Sequence, residues 1–184
     1  ALGYGGTFVA FTFLTPILQD ITGFSEANVS LILVLYGLAI AAGNLAGGRF
    51  ANKDPARALV LLFLLQVLVL VLFGFTMVSP LLTLVTLVAL GFLQFANVPG
   101  LQLYVVQLAK IHRPAAVDVA SALNIAAFNL GIALGAWLGG VVVESPLGLG
   151  ATPWIGAILV AGAAGLTLVS ARLDARASGR LQTA

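Results

Sequence analysis

Cysteine is absent from the 184 residues, which excludes a disulfide framework, a zinc ribbon, a thioredoxin-like motif and a cysteine nucleophile together. Charge is nearly as scarce. Asp, Glu, Lys and Arg make up 8% of the chain, about a third of what a soluble domain carries. With 61% hydrophobic residues and a mean hydropathy of +1.14, the composition excludes an ordinary water-soluble enzyme or binding module and places the chain in a lipid bilayer. The pI of about 9.4 reflects a net charge of only +2. Because the basic residues fall in short loops between apolar runs, they imply no nucleic-acid partner.

The reagents of catalysis are missing too. The sequence has no HExxH, no P-loop, no carboxylate pair inside an apolar run and no Ser-His-Asp set able to meet, so neither an enzyme, a metal site, a cofactor nor direct ATP coupling is expected. The single histidine, His112, stands between Lys110 and Arg113 without a His or Cys partner and reads as an interfacial residue. The chain opens inside a charge-free run, without a basic flank or cleavage site, and its one methionine is Met77. A signal peptide is therefore not supported, and the chain is expected to be a fragment of a longer polypeptide.

What the sequence does have is long apolar runs. A charge at the centre of a membrane helix costs roughly 2.5–3.5 kcal/mol even on the lenient insertion scale, so charge-free runs mark the spans. They fall at 1–19, 27–48, 58–78, 81–109, 119–143 and 154–171. The stretch 58–109 is too long for one crossing, and Ser79-Pro80 divides it, since proline starts a helix better than it continues one. The expected fold is an all-α polytopic membrane protein of six helices. All eight Lys/Arg lie on alternate connections or at the C-terminus: Arg49, Lys53 and Arg57; Lys110 and Arg113; Arg172, Arg176 and Arg180. The positive-inside rule then puts both ends of the chain in the cytoplasm.

Residues 39–48 of the second helix, AIAAGNLAGG, align with residues 131–140 of the fifth, GIALGAWLGG, with half the positions identical. These two helices cross in opposite directions, which predicts two inverted three-helix repeats of the kind found in secondary transporters. Gly43 and Gly47, and Gly131, Gly135 and Gly139, recur every fourth residue. Such stripes allow close helix packing or form a seam along which one bundle moves against another.

Two segments carry a family resemblance. Residues 48–57, GRFANKDPAR, resemble the loop signature of the major facilitator superfamily, with Asn52 in place of its acid and Pro55 in place of its glycine. Residues 124–140, NIAAFNLGIALGAWLGG, are similar to the eleventh helix of that superfamily's bacterial drug:proton antiporters and sugar-efflux permeases. The resemblance implies the C-terminal six of twelve helices, with the N-terminal half of the polypeptide, or a second copy, as partner. It also implies gating roles for Gly48, Arg49, Asn52, Lys53 and Arg57, with Asp118 able to stand in for the acid missing at Asn52.

Tyr4, Thr7, Phe8, Phe11 and Thr15 share one face of the first helix, and Gln94, Asn97, Leu101 and Tyr104 one arc of the fourth. Asn124 adds a polar group on the fifth. These faces turn from lipid toward a partner helix or a water-filled cavity, and the resemblance, which puts the first and fourth helices of each half on the central pathway, favours the cavity. The third helix, with a lone Gln66, reads as a lipid-facing scaffold.

The expected activity is alternating-access efflux of a small neutral or amphipathic substrate across the bacterial cytoplasmic membrane. The competing readings are a homodimeric half-transporter and a non-transporting scaffold. Asp20, Glu26, Asp54, Asp118, Glu144 and Asp174 all flank spans, so a proton-coupling carboxylate is expected outside this chain.

Overall fold

The computed structural model describes residues 1–52 and 54–181, with side chains through Leu173; Lys53 of the loop signature lies outside the described residues. The described residues are helical apart from short turns and connections. A short helix α1 (Leu2–Phe11) is followed by a single turn at Leu14–Pro16 and a wider π-turn at Ile17–Ile21. Then come α2 (Glu26–Ala51), α3 (Pro55–Thr76), α4 (Pro80–His112), α5 (Val117–Glu144) and α6 (Thr152–Leu181). Among the described residues, these last five are the helical segments long and apolar enough to cross a membrane.

The opening segment departs from the expected straight span at 1–19. Pro16 has no N–H to give the Thr12 carbonyl, and Phe13 leaves helical geometry at φ −107°, ψ 18°. Its N–H reaches back only to Ala10 O, at 3.1 Å. Helix α1 is thus ten residues long, about 15 Å, and the chain completes its path through the wider turn, where Thr22 N–H bonds Ile17 O at 3.1 Å.

Starts and stops elsewhere follow the local sequence. Ser25 Oγ accepts from Asn28 N–H at 3.4 Å, and Asp54 Oδ1 from Arg57 N–H at 3.1 Å with Pro55 in the first helical position. Pro80 opens α4 as expected. The turn before it is tied to the first connection by the Thr22 hydroxyl, which donates to Met77 O at 2.7 Å. The α5–α6 connection bends at Gly148, whose φ of +68° is a left-handed conformation that favours glycine.

Helix α2 packs on α4, α5 on α1, α3 on both α4 and α6, and α1 on α6. The interior holds Ile17, Leu18, Leu59, Leu70, Phe73, Leu87 and Leu90, whereas Leu31, Leu45, Leu68, Val85, Leu130, Trp137 and Ile158 are exposed. An apolar exterior is what a hydrocarbon solvent requires. Helix α3 corrects its expected role as lipid-facing scaffold, because Leu59, Phe63, Gln66, Leu70 and Phe73 form a buried stripe facing α4 and α6. Its other side, with Leu61, Leu64, Leu65, Leu68, Leu72 and Phe75, remains exposed.

The glycine stripes lie against backbone. A Cβ at Gly43 or Gly47 would strike the Phe92 or Ala96 carbonyl of α4, and one at Gly131, Gly135 or Gly139 the carbonyl of Ala1, Gly5 or Val9. Since the glycines put no side chain of their own in the way, both helix pairs approach to backbone contact. Gly135→Leu should therefore destabilise the fold by about 1–3 kcal/mol, while Leu134→Ala, at an exposed neighbour, should change it by no more than about 0.5 kcal/mol. Thermal unfolding in detergent checks the pair, and equal melting temperatures would place the stripe against lipid.

Candidate functional site

A side chain sealed inside these helices cannot border a pathway on their surface, so exposure sorts the candidate residues. Thr15 is exposed, and Phe8, Phe11, Leu101 and Asn124 are half-buried. Tyr4, Thr7, Gln94 and Asn97 are 3%, 2%, 1% and 0% exposed. The expected open wall on α4 is thus an interior one at Gln94 and Asn97.

The reason is the partner-helix alternative. The Tyr36 hydroxyl of α2 donates to Gln94 Oε1, and Asn97 Nδ2 donates to Gln66 Oε1 of α3 at 3.2 Å. Helix α4 is bonded to both neighbours through amides that hydrocarbon cannot solvate. Thr7 satisfies its hydroxyl on the Tyr4 carbonyl, 2.9 Å away in its own helix. Farther along α4, Gln102 donates to Ser121 Oγ and accepts from Asn124 Nδ2 at 2.7 Å, joining α4 to α5. Tyr104, on the same arc, lies 3.1 Å from Ser170 Oγ of α6.

Aromatic rings connect what the amides do not. Phe128 of α5 and Phe95 of α4 lie 4.6 and 5.6 Å from the Tyr4 ring, and Tyr4 is 6.2 Å from Phe8. Phe8 meets Phe11 edge-on at 5.2 Å, and Phe11 stacks on Tyr36 of α2 at 5.5 Å. Six rings from four helices form one run, of which Phe8, Phe11, Phe95 and Phe128 are half-buried. The first-helix face Tyr4-Phe8-Phe11 was legible in the sequence. Tyr36 and Phe95 were not singled out, and the available signal was the position of Phe95 beside Gln94 and four residues before Pro99.

In the loop signature, Arg49 and Asn52 are exposed and Gly48 is half-buried near Pro99. Arg57 Nε pairs with Asp54 Oδ2 at 3.1 Å. Asp118 sits exposed in the first turn of α5, where an acid favours its own helix dipole. His112 Nδ1 lies 3.0 Å from Leu108 O of its own helix and is exposed, in keeping with an interfacial residue. Among the described residues no cluster of His, Cys, Asp or Glu is arranged to hold a metal.

A broken first segment, five apolar spans and an apolar interior crossed by a few hydrogen-bonded amides describe a helical membrane bundle, and the model of the Major Facilitator Superfamily matches it over residues 1–182. The chain belongs to that superfamily. It is thereby a member of a transporter family, not of an enzyme family, and a multi-pass membrane protein. It is 55% identical over 145 residues to the MFS-type transporter YtbD of Bacillus subtilis and 36% identical over 147 residues to the inner membrane transport protein YdhP of Escherichia coli. Over 154 residues it is 34% identical to a Helicobacter acinonychis protein named "Probable sugar efflux transporter". These alignments cover 79%, 80% and 81% of this chain but 37% of each relative, so the chain spans little more than a third of their length. No solved structure matched.

In this superfamily member the buried Gln66–Asn97 pair makes a stability prediction. Asn97→Leu leaves Gln66 Oε1 without its donor and should cost about 1–3 kcal/mol. Adding Gln66→Met removes the orphaned amide and should restore much of that loss, by the usual asymmetry between breaking one partner and replacing both. A thermal double-mutant cycle in detergent measures the coupling; additive losses would mean that the two amides do not depend on each other.

Proposed function

We propose that the chain is the C-terminal half of a twelve-helix secondary transporter that exports small neutral or amphipathic molecules by alternating access, its helices forming two inverted three-helix repeats. The observation that carries the substrate class is the aromatic run from Phe128 and Phe95 through Tyr4, Phe8 and Phe11 to Tyr36. It offers apolar and π surface beside the amide of Asn124 and the hydroxyl of Thr15. No Lys, Arg, Asp or Glu belongs to it, so it orients a neutral ring or amphipath but does not neutralise a carboxylate or phosphate. Efflux direction is supported by the name of the Helicobacter relative.

Packing supports the repeat. Exchanging α1 with α4, α2 with α5 and α3 with α6 maps the main helix contacts onto one another: α5 on α1 becomes α2 on α4, α1 on α6 becomes α4 on α3, and α3 on α6 stays in place, while the smaller α4–α5 contact has no α1–α2 counterpart of its size. The aligned glycines behave alike, Gly43 and Gly47 meeting α4 carbonyls and Gly135 and Gly139 meeting α1 carbonyls. In this reading Phe8, Phe11, Thr15, Leu101 and Asn124 border the pathway, and Tyr4, Thr7, Gln94 and Asn97 support it from behind. Gly48, Arg49, Asn52, Lys53, Arg57 and Asp118 act at a cytoplasmic gate, opposite the Thr22–Met77 link. Both ends of the chain are cytoplasmic.

Two measurements test this. This chain contributes no cysteine of its own, so in a full-length protein stripped of any others, cysteines placed singly at Asp54 and Ser145 report sidedness, and a membrane-impermeant thiol reagent should label them from opposite sides. Labelling from one side ends the topology. In the full-length protein, Phe11→Ala should raise the apparent KM for an aromatic substrate about fivefold, from about 1 kcal/mol of lost ring contact, with protein abundance unchanged. An unaltered KM for every aromatic or amphipathic substrate tested would remove the aromatic run from the pathway.

A further inference from the structure

The helix pair α3 and α6 carries a feature on the side away from the aromatic run. Between them lies a cavity of about 250 Å³ lined by Arg57, Val60, Leu61, Leu64, Leu168 and Ala171. Its lining is apolar except for Arg57, and Leu61, Leu64 and Leu168 are exposed on the outer surface, so it opens to the hydrocarbon side. Arg57, Leu61 and Leu64 follow one another at helical spacing, and Arg172 stands one turn beyond Leu168 on α6. The groove therefore has an aliphatic floor and a basic end.

We propose that this groove holds one anionic phospholipid, with an acyl chain between α3 and α6 and the headgroup phosphate on Arg57. Charge complementarity argues for that occupant. Asp54 Oδ2 pairs with Arg57 Nε at 3.1 Å, and the guanidinium's planar fork of N–H donors suits phosphate oxygens. The Arg57 side chain is 90% exposed among the described residues, which leaves the guanidinium open to a ligand. Arg172, also exposed, adds a second basic residue at the same end of the α3–α6 pair. A zwitterionic lipid would bring its own cation to that end and gain less.

Native mass spectrometry of the full-length protein, released from micelles containing equal phosphatidylglycerol and phosphatidylcholine, reads the site directly. The wild-type protein should retain phosphatidylglycerol in preference. Arg57→Gln should lower the ratio of the two bound lipids about fivefold, the effect of one basic residue at an anionic membrane surface, and Arg57→Lys should keep most of it. Leu64→Trp, which fills the groove but leaves the charge, should reduce retention of both lipids. Arg113→Gln removes a basic residue that does not line the groove and so does not touch a lipid retained there; it should leave the ratio within about twofold, less than the full surface effect of one basic residue. Thermal unfolding of each variant establishes that it is folded before comparison. No preference in the wild type, full retention in Leu64→Trp, or an equal fall in Arg57→Gln and Arg113→Gln would each overturn the proposal.

Discussion

The rest of the structure depends on helix backbones meeting where side chains are missing. In hydrocarbon, burying one apolar helix against another gains nothing over leaving it in lipid, so association rests on van der Waals contact and weak Cα–H···O bonds at short range. Gly43 and Gly47 bring α2 onto the Phe92 and Ala96 carbonyls, and Gly131, Gly135 and Gly139 bring α5 onto those of Ala1, Gly5 and Val9. With these two approaches fixed, the rings of Tyr4, Tyr36, Phe95 and Phe128, from four different helices, come within reach of one continuous run. Had either stripe carried larger residues, the helices would stand farther apart and the run would break at Tyr4 or at Phe11.

Where the spans lie was legible in the sequence because the governing energy is large. A charge at mid-membrane costs several times what a misplaced apolar residue does, so the charge-free runs at 27–48, 119–143 and 154–171 locate α2, α5 and α6 to within a few residues at all but the last C-terminus. The same energy is blind to hydrogen-bond geometry. The run 1–19 is as free of charge as the others, yet Pro16 breaks its ladder at Thr12, and only the backbone of Phe13 shows where. Charge reads depth; proline and the carbonyl four residues before it read continuity.

The polar side chains mark the other limit of legibility. A helical arc tells which residues point together, and it placed Gln94, Asn97, Leu101 and Tyr104 on one side of α4. It does not tell what stands opposite. Gln66 looks solitary in a helix of Leu, Val and Phe, and it is the group that Asn97 meets across the interface. Two unremarkable facts in different helices make one interaction, and single-helix periodicity has no means of joining them. Tyr36 and Gln94 repeat the lesson between α2 and α4.

Those interior amides do a different job from the glycine stripes. An interhelical hydrogen bond in a membrane is worth about 0.6–2 kcal/mol, too little for two of them to hold α2, α3 and α4 together against separation in lipid. Their geometry is far more demanding than their energy. A slide of one residue along α3 would carry Gln66 about 1.5 Å along the helix axis and turn it about 100° away from Asn97, exposing two amides to hydrocarbon at about 1–3 kcal/mol apiece. The stripes thus set how near the helices come, and Tyr36–Gln94 and Gln66–Asn97 set their register. A bundle specified in both ways resists internal shear, which is the property required of one rigid half in the proposed alternating-access cycle. Pro16, just past the aromatic face of the first segment, lies outside this lock and leaves the Thr12 carbonyl without an N–H from its own helix.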